Sequence, residues 1–284
     1  MVEAAQPVAA WLRRLAPGQS ETLSLPDTAW TKPDHLELQT EGVTWSGDGK
    51  NGNLFDHVQA GDLALGRLMF AIDQQLDGRE QWTECDRIVS LQLQEQPDAW
   101  LIEAEVSSGA AGSVNSFRAA VRLAVFKHGG VVLARPLWVE NTGTHNWKLA
   151  KIYWFCRPAI GGSPADNVVG GAAVPDYYRH AQFWTHSKLG GCFGALDPSG
   201  SWSVDYWKGP AADFHPDARF PVGQALPPGA RWAADATPYL WIFASRDATQ
   251  WRIVADLARQ AGASIMQGTK GQTHLRLKTY CKLC

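Results

Sequence analysis

Asp176-Tyr177-Tyr178-Arg179-His180-Ala181-Gln182-Phe183-Trp184-Thr185-His186-Ser187-Lys188 is followed, after a short interval, by Trp202-Ser203-Val204-Asp205-Tyr206-Trp207. Nowhere else in the chain are aromatic and titratable residues interleaved so closely. Flat aromatic faces bind the C–H faces of sugar rings, while Asp, Arg, His and Tyr supply directional hydrogen bonds or move protons, so the mixture predicts a carbohydrate site. A lyase or epimerase that abstracts and returns a proton needs a base, an acid and a group that stabilises charge on a carboxylate or enolate. His180 or His186, Tyr178, and Arg179 or Lys188 carry side chains for those roles, with Asp205 as the neighbouring carboxylate. Trp184, Trp202 and Trp207 are the stacking platforms. His145 and His215 are next in line if the site lies elsewhere.

Two other uses of these residues stand beside that one. The same aromatics, without any proton transfer, would make a non-catalytic carbohydrate-binding protein. Trp and Tyr are also ordinary core residues of sheets, and a His between aromatics is often just a hydrogen-bonded structural group. A hydrolase would want two carboxylates ~5–10 Å apart, and only Asp176 and Asp205 stand out. Metal chemistry is disfavoured, because His180 and His186 are spaced i and i+6 with no third ligand beside them; no metal and no other cofactor is expected. Cys192 follows two glycines, yet nothing around it assembles a thiol nucleophile.

The totals bound the ligand class. With 284 residues, 45% hydrophobic and 19% charged, the chain can bury a large core, and sandwiches of this length often form one domain. A net charge of −2 and the lack of Lys/Arg runs give no electrostatic reason to bind nucleic acid or anionic membrane. The expected partner is a saccharide. Fourteen Trp against three Met fits either saccharide handling or a large β core. No apolar run approaches the ~20 residues that span a bilayer, and Met1 to Ala5 has no basic n-region, so the chain reads as soluble unless an export signal has been removed. The five cysteines are odd in number and Cys85, Cys156 and Cys192 are far apart, which argues against a disulfide framework and favours a reducing compartment. Cys281 and Cys284 have the spacing of half a zinc site, but only His274 lies near them.

The elements that must position these groups read as strands. Residues 7–16 repeat apolar positions at helical spacing up to Pro17-Gly18, making the N-terminal 1–20 a helical segment, and 247–262 forms a second helix around Trp251, Val254 and Ala258. Between them, His35 to Gln39 and Gly42 to Trp45 are short strands, followed by a turn at residues 48–53 with two glycines available for positive φ. Leu63 to Ile72 is a strand with a bulge at Gly66 or, alternatively, a helix. Ile102, Ala104 and Val106 alternate with glutamates, predicting one buried and one wet face. Phe117 to Phe126 and Val131 to Val139 form a hairpin across Lys127-His128-Gly129-Gly130. After a turn at Glu140 to Thr144, Trp147 to Cys156 is apolar on both faces, with Leu149, Tyr153 and Phe155 on one and Ala150, Ile152, Trp154 and Cys156 on the other. The aromatic cluster is framed by Pro175, Gly190-Gly191 and Asp197 to Gly200 as a loop-like segment. Asp213 to Asp217 reads as irregular, and Tyr239 to Phe243 as an apolar strand. The fold class is therefore all-β, an antiparallel β-sandwich with a few short peripheral helices, over residues 1–284 as one domain.

Trp138 to Phe243 resembles the galactose-mutarotase-like supersandwich. The resemblance rests on the Asn-Thr turn of Val139-Glu140-Asn141-Thr142-Gly143 and on His215-Pro216 leading to Leu226-Pro227-Pro228-Gly229 before a final strand. It implies a sugar-binding concave face and places Asp205 nearest to the family's catalytic carboxylate. The family's histidine is missing, since Trp147 to Cys156 contains no His and His145 comes too early. Mutarotation is therefore not implied, and the same sandwich serves polysaccharide lyases and glycoside hydrolases.

Overall fold

A computed structural model of the chain describes residues 29–40, 42–60, 63–110, 112–127, 131–157, 167–170, 181–186, 189–195, 203–208, 214–233 and 239–245. Both expected helices, residues 7–16 and 247–262, lie outside them. Among the described residues every regular element is a strand and the pairing is antiparallel.

The chain begins its first sheet as a meander of β1 (Leu36–Thr40), β2 (Val43–Gly47), β3 (Phe55–Ala60), β4 (Leu63–Leu76) and β5 (Arg79–Glu84). It then builds the second sheet with β6 (Arg87–Glu95), β7 (Ala99–Ser108), β8 (Phe117–Phe126) and β9 (Val131–Asn141). β10 (Trp147–Arg157) returns to the first sheet, while β11 (Asn167–Gly170), β12 (Ala181–His186) and β13 (Leu189–Ala195) join the second. β14 (Ser203–Lys208) and β15 (Phe214–Leu226) belong to the first, and β16 (Arg231–Ala233) and β17 (Tyr239–Ser245) to the second. The spatial order is β1-β2-β3-β4-β10-β15-β14 in the first, with β5 on β4, and β11-β12-β13-β17-β9-β8-β7-β6 in the second, with β16 on β9.

One buried cluster joins the sheets. Trp45, Phe55, Phe70 and Ile72 of the first meet Ile102, Phe117, Val121, Leu123 and Val132 of the second, which is the two-layer packing of a β-sandwich. The alternation in β7 does what its sequence demands: Ile102, Ala104 and Val106 are buried, and Glu103 faces away to take an ion pair from Arg122 of β8 at 2.7 Å. β8 and β9 pair as the expected hairpin. The Glu140 to Thr144 turn, by contrast, carries the chain from one sheet to the other, because β9 and β10 have different neighbours.

Three local expectations are corrected. In β10 the register slips between Leu149 and Lys151 against both neighbours, so Leu149 and Ile152 both enter the shared core while Tyr153 packs with Ala71 on the opposite face. One extra residue reverses the faces of a strand from that point on. Phe214 to Asp217 is not irregular but the start of β15, paired to β14. Ala181 to His186 and Ser203 to Lys208 are strands rather than loop-like segments. Residues 63–72, by contrast, form the strand expected with a bulge at Gly66 and not the alternative helix, the register shifting on either side of that glycine.

The turn of residues 48–53 uses its glycines differently. Gly49 has φ of +72°, but Gly52 is required by proximity: a Cβ there would lie 2.1 Å from the Cys85 backbone. Glycine at Gly52 thus lets the turn press against the segment between β5 and β6.

Candidate functional site

β4 and β10 pair so that Phe70 and Ile72 point into the core, which leaves Ala71, Asp73, Lys151 and Tyr153 on the other face of the first sheet. β5 folds back onto β4 through Asp77-Gly78, both at positive φ (49° and 79°), the backbone of a two-residue hairpin turn. That hairpin sets Trp82 opposite Asp73 and Glu84 opposite Ala71. Ala71 stands between Glu84 and Tyr153 in the same row, and its small side chain leaves room for the Tyr153 ring to meet Trp82 edge-on, centroids 4.4 Å apart.

The polar groups there are paired among themselves. Tyr153 Oη donates to Asp73 Oδ2 at 2.5 Å, and Lys151 Nζ lies 3.4 Å from that oxygen and 3.2 Å from Glu80 Oε2. Trp82 Nε1 donates to Glu84 Oε1 at 3.2 Å, and Arg67 stands 3.9 Å from the other Glu84 oxygen. Asp73 and Tyr153 are buried, yet Trp82 keeps 39% of its surface exposed. A hydroxyl held by a carboxylate beside an ammonium, next to a partly exposed indole, can polarise a ligand hydroxyl or shuttle a proton.

On the same face, β1 to β3 and the turn after β2 border an open cavity of about 880 Å³ whose lining includes Glu37, Asp48, Asn53, Asp56, His57 and Arg67. The sequence builds its wall from short polar side chains that fold the turn on itself. Asp48 Oδ1 accepts the Lys50 and Asn51 N–H groups, and the Lys50 bond chiefly holds the Asp48 carboxyl below its ordinary value. Asp56 accepts the Asp48 N–H and both the Asn51 and Asn53 amides. Arg67 lines this cavity and also approaches Glu84, so cavity and indole platform adjoin.

Register locates several residues singled out from the sequence. In the first sheet, Tyr153 pairs with Arg219 and Arg219 with Ser203; Phe155 pairs with Asp217 and Asp217 with Asp205; His215 pairs with Trp207. Asp205 and Trp207 therefore occupy positions of the same parity as Tyr153, on β14, which β15 separates from β10. In the second sheet, Trp184 pairs with Gly191 and Gly191 with Phe243, two positions from Trp241, which pairs with Val132 of the buried cluster. Trp184 and His186 lie on β12, the second strand from the β11 edge of that sheet. β12 and β13 nevertheless pass within 8 Å of β14, Cα to Cα. Tyr178, Arg179, His180, Lys188 and Trp202 lie outside the described residues. His145 is exposed in its turn, its Nδ1 3.0 Å from Thr144 Oγ1.

Asp73, Lys151, Tyr153 and Trp82 were not singled out from the sequence as site residues. Asp77-Gly78 between two polar-apolar runs is a strong hairpin signal and would have exposed β5 and Trp82. Nothing local foretells that residues 80 positions apart, such as Asp73 and Tyr153, bond to each other. No protein-family model matches this chain, and no curated protein does.

Proposed function

We propose that the protein is a carbohydrate-active enzyme that takes a saccharide on the outer face of the first sheet and acts by proton abstraction and return, as a lyase or epimerase. The observation that carries this is the partly exposed Trp82 indole meeting the Tyr153 ring edge-on, beside the Asp73 carboxylate and the Lys151 ammonium. A sugar ring stacked on the indole brings its C–H bonds to a hydroxyl whose proton a carboxylate already accepts, with an ammonium able to balance charge on a developing enolate. Asp205 and Trp207, in matching register two strands from β10, extend the face, and Tyr178, Arg179, His180, His186, Lys188, Trp184 and Trp202 remain proposed contributors from the aromatic segment. The galactose-mutarotase-like architecture is likewise a proposal, supported by the way its two motif fragments meet: Asn141 Nδ2 donates to Leu226 O at 2.6 Å and Gly229 N to Asn141 O at 2.7 Å.

One observation favours the binding-only alternative. Tyr153 is only 4% exposed, as suits a residue that props the indole without touching ligand. The two are separated by incubating uronate-containing oligosaccharides with the protein, following unsaturated products by absorbance and epimeric exchange by NMR. Turnover that falls by about 10²–10⁴-fold in Asp73→Asn and in His180→Ala, with folding retained, supports the enzyme. Saccharide binding lost in Trp82→Ala, with no turnover in any variant, supports the binding protein. Absence of both binding and turnover across neutral, uronate and amino saccharides overturns the carbohydrate assignment.

A further inference from the structure

Asn51-Gly52 is the one Asn-Gly pair in the chain, and the folded turn accounts for each member separately. Asn51 is used at both ends of its carboxamide: Nδ2 donates to Asp56 Oδ1 at 2.8 Å, and Oδ1 accepts the Asn53 N–H at 2.8 Å. Gly52 is buried and is required for its missing side chain, since a Cβ would lie 2.1 Å from the Cys85 backbone and 2.5 Å from Asp86 N. Cys85 and Asp86 connect β5 of the first sheet to β6 of the second, with Cys85 N donating to Phe70 O and Asp86 N to Ser107 O. The turn thus rests on a connection between the two sheets.

The pair that this docking demands is chemically labile, because no Cβ shields the backbone nitrogen that follows the asparagine. Gly52 N can form a bond to Asn51 Cγ while Nδ2 departs as ammonia, carrying off the Gly52 proton, and a succinimide ring closes. Water then opens the ring at either carbonyl, leaving an aspartyl residue at position 51 or an isoaspartyl one, in which the main chain runs through the former side chain. Closure needs the carboxamide to rotate and its nitrogen to leave, and in the folded turn a hydrogen bond holds each end of it. We infer that Asn51-Gly52 is a modification site that the native turn holds shut, and that reaction there releases the turn from Cys85. Either product exchanges the donor facing Asp56 for a carboxylate oxygen, which sets like charges together. The isoaspartyl form also lengthens the backbone beside a glycine that has no room for a Cβ.

Incubation of the protein at mildly alkaline pH, folded and in urea, with peptide mapping by mass spectrometry, follows conversion at position 51. The folded chain should react at least about tenfold more slowly, the scale of one hydrogen bond to a carboxylate that must open first. Asp56→Ala, which frees Nδ2, should recover most of that factor in protein whose circular dichroism stays native. Converted protein should take up iodoacetamide at Cys85 without denaturant, and unconverted protein should not. Equal rates for folded and unfolded wild type overturn the inference however the variant folds, as does a natively folded Asp56→Ala that reacts no faster. Cys85 that stays unreactive in converted protein overturns the release of the turn.

Discussion

Tyr153→Phe removes one atom from the candidate site, and the structure sets the size of the effect. The phenolic hydroxyl donates to Asp73 Oδ2 at 2.5 Å, with Tyr153 4% and Asp73 7% exposed, so little solvent competes for either group. A hydrogen bond to an ionised partner contributes about 1.5–3 kcal/mol, against about 0.5–1.5 kcal/mol between neutral groups. Phe keeps the ring beside Trp82, so no packing loss accompanies the change. Lys151, 3.4 Å from the same oxygen but with a third of its side chain exposed, recovers less than about 1 kcal/mol. Tyr153→Phe should therefore cost about 1.5–3 kcal/mol in wild type and about 0.5–1.5 kcal/mol in an Asp73→Asn background, the difference being the charge-dependent part. Urea unfolding of the four proteins, at equal m-values, measures the cycle. A cost below about 0.5 kcal/mol, or the same cost in both backgrounds, would show that Asp73 is not the ionised acceptor of this bond.

Gly52→Ala should destabilise by roughly 1–3 kcal/mol or more, because its Cβ would sit 2.1 Å from the Cys85 backbone; an unchanged urea midpoint would mean that the turn docks differently. Asp48 should titrate below its ordinary 3.8 in the native protein, followed by its carboxyl carbon in NMR. Because the folded value is the depressed one, the turn gains stability from this group above the ordinary value and loses it as pH falls through the lower folded value; a midpoint at or above 3.8 would contradict the bonds from Lys50 and Asn51. Burial raises the Cys85 thiol well above its usual range, so peptide mapping after iodoacetamide treatment should find Cys85 unmodified until denaturant is added.

How much of this was legible in the chain itself depended on distance along it. Ile102, Ala104 and Val106 between glutamates are enough to make a half-buried strand, since side-chain direction in extended backbone alternates whatever the neighbours are. Lys127 to Gly130 between two apolar runs is enough to make the β8–β9 hairpin, because a short connection leaves antiparallel pairing as the cheapest closure. The aromatic and titratable residue types were visible as well, and register puts Asp205 and Trp207 at the parity of Tyr153. The partners of β10 were not visible. It lies between β4 and β15, both distant in sequence, and non-local pairing is decided by which apolar faces can share a core rather than by any local signal. Nor did alternation foresee the slip at Ala150, which moved Tyr153 out of Leu149's face and onto Asp73's. Residue types and local periodicity thus determined strands, turns and the chemistry on offer. Only the pairing of β10 with β4 decided which tyrosine would meet that carboxylate and indole, because contact between segments so far apart is set by the shared core and not by the chain between them.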